Sequence, residues 1–594
     1  MFTLKSLARL IPVLLPYRWV IASGFGTFFV ARIFEISTYY LVAQGVDLIN
    51  VLVNPSASNE SLLPFTLTEI ALAIVASVCL RFVFIVHARR AIRRAGMSTA
   101  YDLRQQVYAS VQLQGSHFFS RFGVGDIMTR AIQDISVIER LISHGLVQFV
   151  IMIYAPLIGL SAMLMKSSSL TLLILPLLPV LFVYGYHMSA AMKRSSREMQ
   201  ARLSQLSQHT QENLSGIRTV QAQVQEENQI KRFLVTNEAY ADAFYEQSRI
   251  NSLMSAWTPF FASIAQLIIL MYGGHLVLSS EISIGDLVFF FTCLNMLLQP
   301  IRMAGYFITT IQRAVVSSNR LFEIFDEPPE ITNAPAPNAP KKIRGEFDLR
   351  DLSFTYPGAH LPALTNINLH IDAGESIAIV GRVGSGKSTL LKQFTRMVDT
   401  SPGQLFIDGL DVLDYPLAQL RKDISQVLQD PFLFGDPLKY NISYDDPGRE
   451  MDLIWDSADA AALRASIMQF PAQMETVVGE RGVTLSGGEK QRTTLARGLI
   501  CNAPVLILDD CFSSVDTETE EHILGRLKAL RHDMTTILVS HRVSTLRHAD
   551  RIVVLDEGEV KEVGTHQELL RLNSLYADLE RAQMLRSTRQ VVSG

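Results

Sequence analysis

Residues 1–320 carry six long apolar stretches, near 18–47, 66–88, 141–165, 169–191, 255–278 and 285–310. Each approaches the roughly 20 residues that an α-helix needs to cross a bilayer. Between the second and third stretches, and between the fourth and fifth, the chain is polar but poor in proline and glycine. Those two long loops read as helices continued into water. Each holds a glycine-marked bend, at Gly123/Gly125 and at Gly216, and the elbows near Phe118–Gly125 and Gly216–Val220 predict short crosswise helices. Phe118 and Phe119 are the apolar anchors on the first. After a Pro-rich segment, 327–342, the pattern changes to short β-like runs alternating with helical ones, as in an α/β domain. The expected plan is a transmembrane domain at 1–320, a semi-extended linker at 321–345, an α/β domain at 346–585 and a tail at 586–594.

Charge placement orients the membrane half. Arg89, Arg90, Arg93, Arg94 and Arg104 follow the second stretch, and Lys193, Arg194, Arg197 and Arg202 follow the fourth. The loops near 50–65 and 274–284 have no Lys or Arg. The positive-inside rule therefore puts both long loops and both termini in the cytoplasm. Met1–Tyr17 lacks the pattern of a cleavable signal and reads as an amphipathic helix on the inner membrane face. Polar groups within spans need a reason, because charge in lipid is costly. Arg32 and Glu35 share a helix face. With Arg81, Asn295 and Gln299 they are candidates for a substrate cavity, the alternative being hydrogen bonds between helices or snorkelling.

Composition narrows the class. The 594 residues are 48% hydrophobic with a net charge of −4, and mean hydropathy is +0.21. This balance speaks against a general nucleic-acid binder. The four cysteines are scattered and suggest neither a disulfide framework nor a zinc site.

The α/β half carries the chemistry. Gly381-Arg382-Val383-Gly384-Ser385-Gly386-Lys387-Ser388-Thr389 fits the P-loop pattern and follows the strand-like run Ser376–Val380. The glycines let backbone N–H groups cradle phosphates, Lys387 reaches the β- and γ-phosphates, and Ser388 offers its hydroxyl to Mg²⁺. Val505–Asp509 is an apolar strand ending in a carboxylate that faces the metal. Gln429, after another strand, is placed to reach the metal or the attacking water. Tyr356 is placed to stack on adenine. His541, at the end of Thr536–Ser540, is read as a γ-phosphate contact rather than a structural histidine.

With Leu485-Ser486-Gly487-Gly488-Glu489 added, this half resembles the nucleotide-binding domain of ABC transporters. The resemblance makes Ser486–Glu489 the signature loop that closes on ATP held by a second such domain. It makes Ser513–Asp516 the loop joining the two sites, and Glu480 and Arg481, within Thr476–Gly482, contacts to the membrane domain's loops. Six spans followed by one ATPase domain resemble an exporter-type half-transporter of the multidrug and lipid-exporter group, which must dimerise. One position departs from the pattern. Asp510 stands where the family has a glutamate that polarises the attacking water, one methylene shorter, or about 1.5 Å. That resembles the degenerate subunit of heterodimeric bacterial exporters. The resemblance implies an ATP- and Mg²⁺-dependent ATPase of the plasma (inner) membrane, paired with a second half-transporter, moving drugs or lipids outward and touching no nucleic acid. The alternatives are a homodimeric lipid flippase, an importer on the exporter fold, such as a siderophore system, or an ATP-gated channel or regulatory subunit.

Overall fold

The computed structural model describes residues 5–53, 65–333, 342–479, 482 and 485–593. The chain divides into two compact units. One comprises Met1–Gln112 and Val124–Glu327, and the other comprises Leu113–Gly123 and Pro328–Gly594.

The first unit is all helix. Five helical stretches among the described residues are long and apolar enough to cross a membrane: Ile11–Val53, Leu67–Gln112, Val124–Lys166, Glu226–Leu278 and Ile284–Phe325. They outrun the lipid. The 46 residues of Leu67–Gln112 extend about 69 Å at about 1.5 Å per residue, against about 30 Å of hydrocarbon. The two long loops are thus helical continuations, as expected. The expected fourth span, 169–191, is not among the five. It is helical as Ser168–Ile174 and Leu177–Ser215. Pro176 sits at the break, and the longer piece runs on into the polar stretch after residue 192, which dilutes its apolar character.

Small residues bring the first two long helices together. A Cβ at Gly24 would lie 2.8 Å from Ile92 Cγ1, so only glycine permits this approach. Phe28, Ala88, Val150 and Ile151 form a buried cluster beside it. The N-terminal segment also turns inward. Leu10 is buried with Leu103, Val107, Ile138 and Leu321, whereas Ile11 and Leu15 stay exposed. Part of its apolar side is therefore spent on protein, where a helix lying on the membrane was expected.

The second unit is built on two sheets. Strands β1 (Phe347–Phe354), β2 (Leu364–Ile371), β4 (Leu405–Ile407) and β5 (Leu410–Asp411) form an antiparallel sheet in the order β2-β1-β4-β5. The larger sheet contains β3 (Ser376–Gly381), β6 (Ile424–Val427), β7 (Val505–Asp509), β8 (Thr535–Val539), β9 (Arg551–Asp556) and β10 (Glu559–Gly564). Its order is β10-β9-β3-β8-β7-β6, and all but β10 are parallel. Its inner strands β3, β7, β8 and β9 are largely apolar runs because both faces are covered, whereas the edge strand β10 is mostly polar. Every residue of β7 is buried. Val505 and Ile507 pack with Ile377, Leu390 and Phe394 on one face. Leu506 and Leu508 pack with Ile454, Leu495 and Leu524 on the other. The period-two alternation of a strand thus feeds two separate cores.

This topology brings the chemistry to one edge. Gly381 ends β3 and Asp509 ends β7, while Gln429 and His541 each follow two residues after β6 and β8. In an open parallel sheet, the carboxyl ends of the strands are where ligands bind. The linker is shorter than the expected 321–345, because the helix Ile284–Phe325 runs into it.

Candidate nucleotide site

The loop after β3 turns on glycine. Gly384 has φ +85° and Gly386 φ +99°, a region that side chains disfavour. Nothing lies within 4 Å of where a Cβ on Gly384 would project, so the loop apex offers bare backbone. Arg382 and Val383 are exposed and Ser385 is buried. The helix Lys387–Phe394 starts here with its N–H groups free of any side-chain cap, which leaves its positive end for an anion.

Lys387 is buried, and its Nζ donates to the carbonyls of Gly381 at 2.9 Å and Arg382 at 2.8 Å. Burial holds its pKa below the ordinary lysine value, and the negative charges of Asp509 and Asp510 oppose that shift. Asp509 is the mirror case. Burial and the neighbouring Asp510 push its carboxyl up, while Lys387 and a hydrogen bond from Ser388 pull it down. Three charged side chains, Lys387, Asp509 and Asp510, are thus buried close together, while Ser388 and Gln429 beside them are exposed. Thr389 is buried one turn in, and its hydroxyl lies 3.2 Å from Tyr356 Oη. That bond and Phe354, edge-on at 4.9 Å, steady the Tyr356 ring, with Lys392 Nζ 5.8 Å from its centroid.

Asp510 is largely buried in a left-handed backbone conformation, φ +45°, and its N–H donates to Val539 O at 2.9 Å. Gln429 Nε2 approaches its carboxylate at 3.4 Å. The structure thus brings together Lys387, Ser388, Asp509, Asp510 and Gln429. His541 is exposed, and Gln583 donates to its backbone carbonyl.

The signature segment opens another helix, Gly487–Ile500. Ser486 is its N-cap in a reciprocal capping box with Glu489. Glu489 accepts both the N–H and the hydroxyl of Ser486 at 2.8 Å. Ser486 and Gly487 are exposed. A Cβ on Gly488 would sit 2.9 Å from Ser514 O. Asp516 caps the next helix, and the Thr519 N–H holds its carboxyl below the usual range.

Two joints were not foreseen. Gln491 is buried, donates to Ser513 Oγ at 2.7 Å and accepts from Ser514 N at 2.8 Å. Arg542, next to His541, donates to Val515 O at 3.0 Å and Ser513 O at 3.2 Å, and pairs with Glu520. The loop Ser513–Asp516 is therefore pinned from both sides. A glutamine one turn into a capped helix is the only sequence signal for the first joint.

Other expected sites fall as follows. Phe118 is buried and Phe119 is more exposed, with ring centroids 5.5 Å apart. Gly216 ends one helix and starts the short helix Ile217–Ala222, in which no residue is buried. Glu480 and Arg481 lie outside the described residues. Glu35 is buried between Arg32 and Arg81, accepting from Arg81 at 2.6 Å and from Tyr39 at 3.1 Å. Gln299 and Asn295 are exposed, and Asn295 bonds its own helix at Phe291 O, 3.1 Å.

Comparison with known proteins agrees with this arrangement. Residues 21–301 match the ABC transporter transmembrane region, and residues 364–513 match the ABC transporter family. The Bacillus subtilis (strain 168) ABC transporter ATP-binding protein YknU is 34% identical over 481 residues, covering 81% of this chain and 82% of its own length. The chain belongs to the ABC transporters. An ATP-dependent lipid A-core flippase of Syntrophus aciditrophicus (strain SB) is 34% identical over 488 residues, 82% of this chain and 81% of its own. YgaD of the same Bacillus strain, provisionally named a multidrug export ATP-binding/permease protein, is 32% identical over 485 residues, 82% of this chain and 84% of its own. This ABC transporter is a multi-pass membrane protein of the exporter half-transporter type, and its ATPase domain binds ATP and couples its hydrolysis to transport.

Proposed function

We propose that this ABC half-transporter exports amphipathic or hydrophobic compounds, drugs or lipids, across the plasma membrane as one half of a heterodimer. In that pair its own ATP site is the slow one. The names of the relatives, multidrug export and lipid A-core flippase, support the substrate class. Asp510 carries the heterodimer reading. Its carboxylate stands about 1.5 Å short of where a glutamate would reach, and displacements near 1 Å cost roughly a hundredfold in rate. Gln429 already draws that carboxylate toward itself.

In this reading the P-loop backbone and Lys387 hold the phosphates, Tyr356 takes the adenine face, and Ser388, Gln429 and Asp509 hold Mg²⁺. His541 contacts the γ-phosphate. Ser486–Gly488, exposed at a helix start, face the nucleotide of the partner subunit and complete the fast site. The crosswise helices at Phe118 and Gly216 pass closure of the ATPase pair to six spans, with both termini in the cytoplasm. Arg32, Glu35 and Arg81 contribute to the cavity.

The test is stoichiometry. The tagged chain is purified from its native membrane and the intact complex is weighed by native mass spectrometry. A one-to-one complex with a second half-transporter that carries glutamate at the position of Asp510 is expected. A homodimer would overturn the heterodimer reading and require Asp510 itself to support turnover.

A further inference from the structure

The crosswise helix Ser116–Arg121 starts at Gly115, which has no side chain to cap it. The first N–H groups of any helix lack partners within it. Here a residue more than two hundred positions away supplies the cap. The carboxylate of Glu330, in the linker, accepts from Phe118 N at 2.7 Å and His117 N at 3.4 Å. A negative group at that end also suits the helix dipole. The fit is close: a Cβ on Gly115 would meet the Glu330 carboxyl carbon at 2.8 Å.

The same linker strand is tied at its other end. Thr332 O accepts from Arg396 Nη2 at 3.2 Å. Asn333 Oδ1 accepts from Leu417 N at 2.8 Å, the first residue of the helix Leu417–Asp423, whose N-cap Pro416 offers no side-chain bond. Arg396 is buried with φ +46° and directly follows the P-loop helix Lys387–Phe394. It also bonds Asp399 at 2.8 Å and Leu413 O at 3.4 Å, so it is held on several sides. Glu330, Thr332 and Asn333 thus span from the start of the crosswise helix to the rear of the P-loop helix.

We infer that Glu330–Asn333 is a strap that transmits nucleotide-dependent movement of the P-loop helix to the first long loop of the same chain, with Glu330 as the positioning residue. This route runs within one chain and needs no contact from a second subunit. It rests on the family's coupling of ATP to transport, not on the heterodimer reading.

A cap and a strap can be told apart. Glu330→Ala removes both. Adding Gly115→Asp to it restores a local cap only, since Gly115 has φ −91° and ψ −173°, open to any residue. Losing the Glu330 carboxyl removes the two nearest contacts and leaves its Cβ 3.2 Å away, which a small shift of the exposed linker accommodates. Hydrogen exchange of the segment 116–122 is followed in the full-length complex in nanodiscs, with and without a non-hydrolysable ATP analogue and Mg²⁺. Native mass spectrometry verifies that the analogue is bound. The wild type is expected to change its exchange on binding. Glu330→Ala should speed exchange at His117 and Phe118 by roughly 2- to 30-fold, the range of a lost cap. The double variant should regain that protection yet lose most of the nucleotide response. A double variant that responds like the wild type, or a wild type that shows no response with analogue bound, would overturn the strap.

Discussion

Asp510 sits in a backbone conformation that suits its short side chain. A left-handed φ of +45° is visited most readily by Gly, Asn and Asp. The position therefore favours aspartate locally, whereas the proposed role in hydrolysis would favour the longer glutamate. Asp510→Glu is expected to raise ATP hydrolysis at this site, by up to roughly a hundredfold if reach alone limits it. The backbone cost in stability should be at most about 1–2 kcal/mol. Single-turnover hydrolysis by the purified complex checks the rate, and thermal unfolding checks the cost. An unchanged rate would place the limit elsewhere. The neighbouring charges set a pH trend. Lys387, with its pKa held down, binds fewer protons folded than unfolded just below the ordinary lysine value, so stability rises with pH there. Asp509, held up, retains its proton longer when folded, so stability falls as pH rises just above the ordinary aspartate value. Both trends come first from the burial of these two groups.

At the scale of elements, the strands and most spans were legible because burial writes itself as hydrophobicity. β7 reads from five apolar-to-acidic residues, since each face of its sheet has a core to fill. The stretch 169–191 was less legible in the opposite sense: its apolar run promised one span, and Pro176 divides it. The joints were barely legible, the Gln491 joint only through a glutamine one turn into a capped helix. Gln491 and Glu330 act through partners that only the tertiary fold supplies, and neither hydropathy nor spacing marks them. Gln491 fixes the signature helix to the loop Ser513–Asp516 by two bonds from one amide. Gln491→Leu keeps the bulk and removes both bonds; because Ser513 and Ser514 are exposed and water can replace the amide, each loss is about 0.5–1.5 kcal/mol. The expected outcome is a lower melting temperature and slower turnover at the partner's site, which the signature helix serves in the proposed heterodimer. Nucleotide occupancy at this chain's own P-loop should hold. Equal loss of occupancy at both sites would show that the joint supports the domain as a whole and not the placement of the signature.

For the whole molecule, the ATPase domain carries its P-loop and its signature segment at the starts of two different helices. The P-loop gathers Lys387, Asp509, Asp510 and Gln429. The signature helix instead presents Ser486 and Gly487 to solvent, with the serine hydroxyl parked on Glu489. In the proposed pair, that exposed and capped helix start meets the anion held by the other subunit. Ser486→Arg therefore discriminates between subunits. It adds bulk at the N-cap and removes the capping box, costing about 0.5–2 kcal/mol locally, which the fold should survive. In a complex whose fast site uses this chain's signature and the partner's P-loop, it should abolish most ATP turnover and transport while ATP still binds at Lys387. The complementary substitution in the partner's signature would disable only the slow site and should leave much of the turnover. Equal losses from the two substitutions would point to two equivalent sites, and full activity with Ser486→Arg would mean that the signature does not complete a site in the partner. The asymmetry between those two variants follows from Asp510 alone, so one ATPase assay on the pair tests whether a single missing methylene sets the division of labour across the complex.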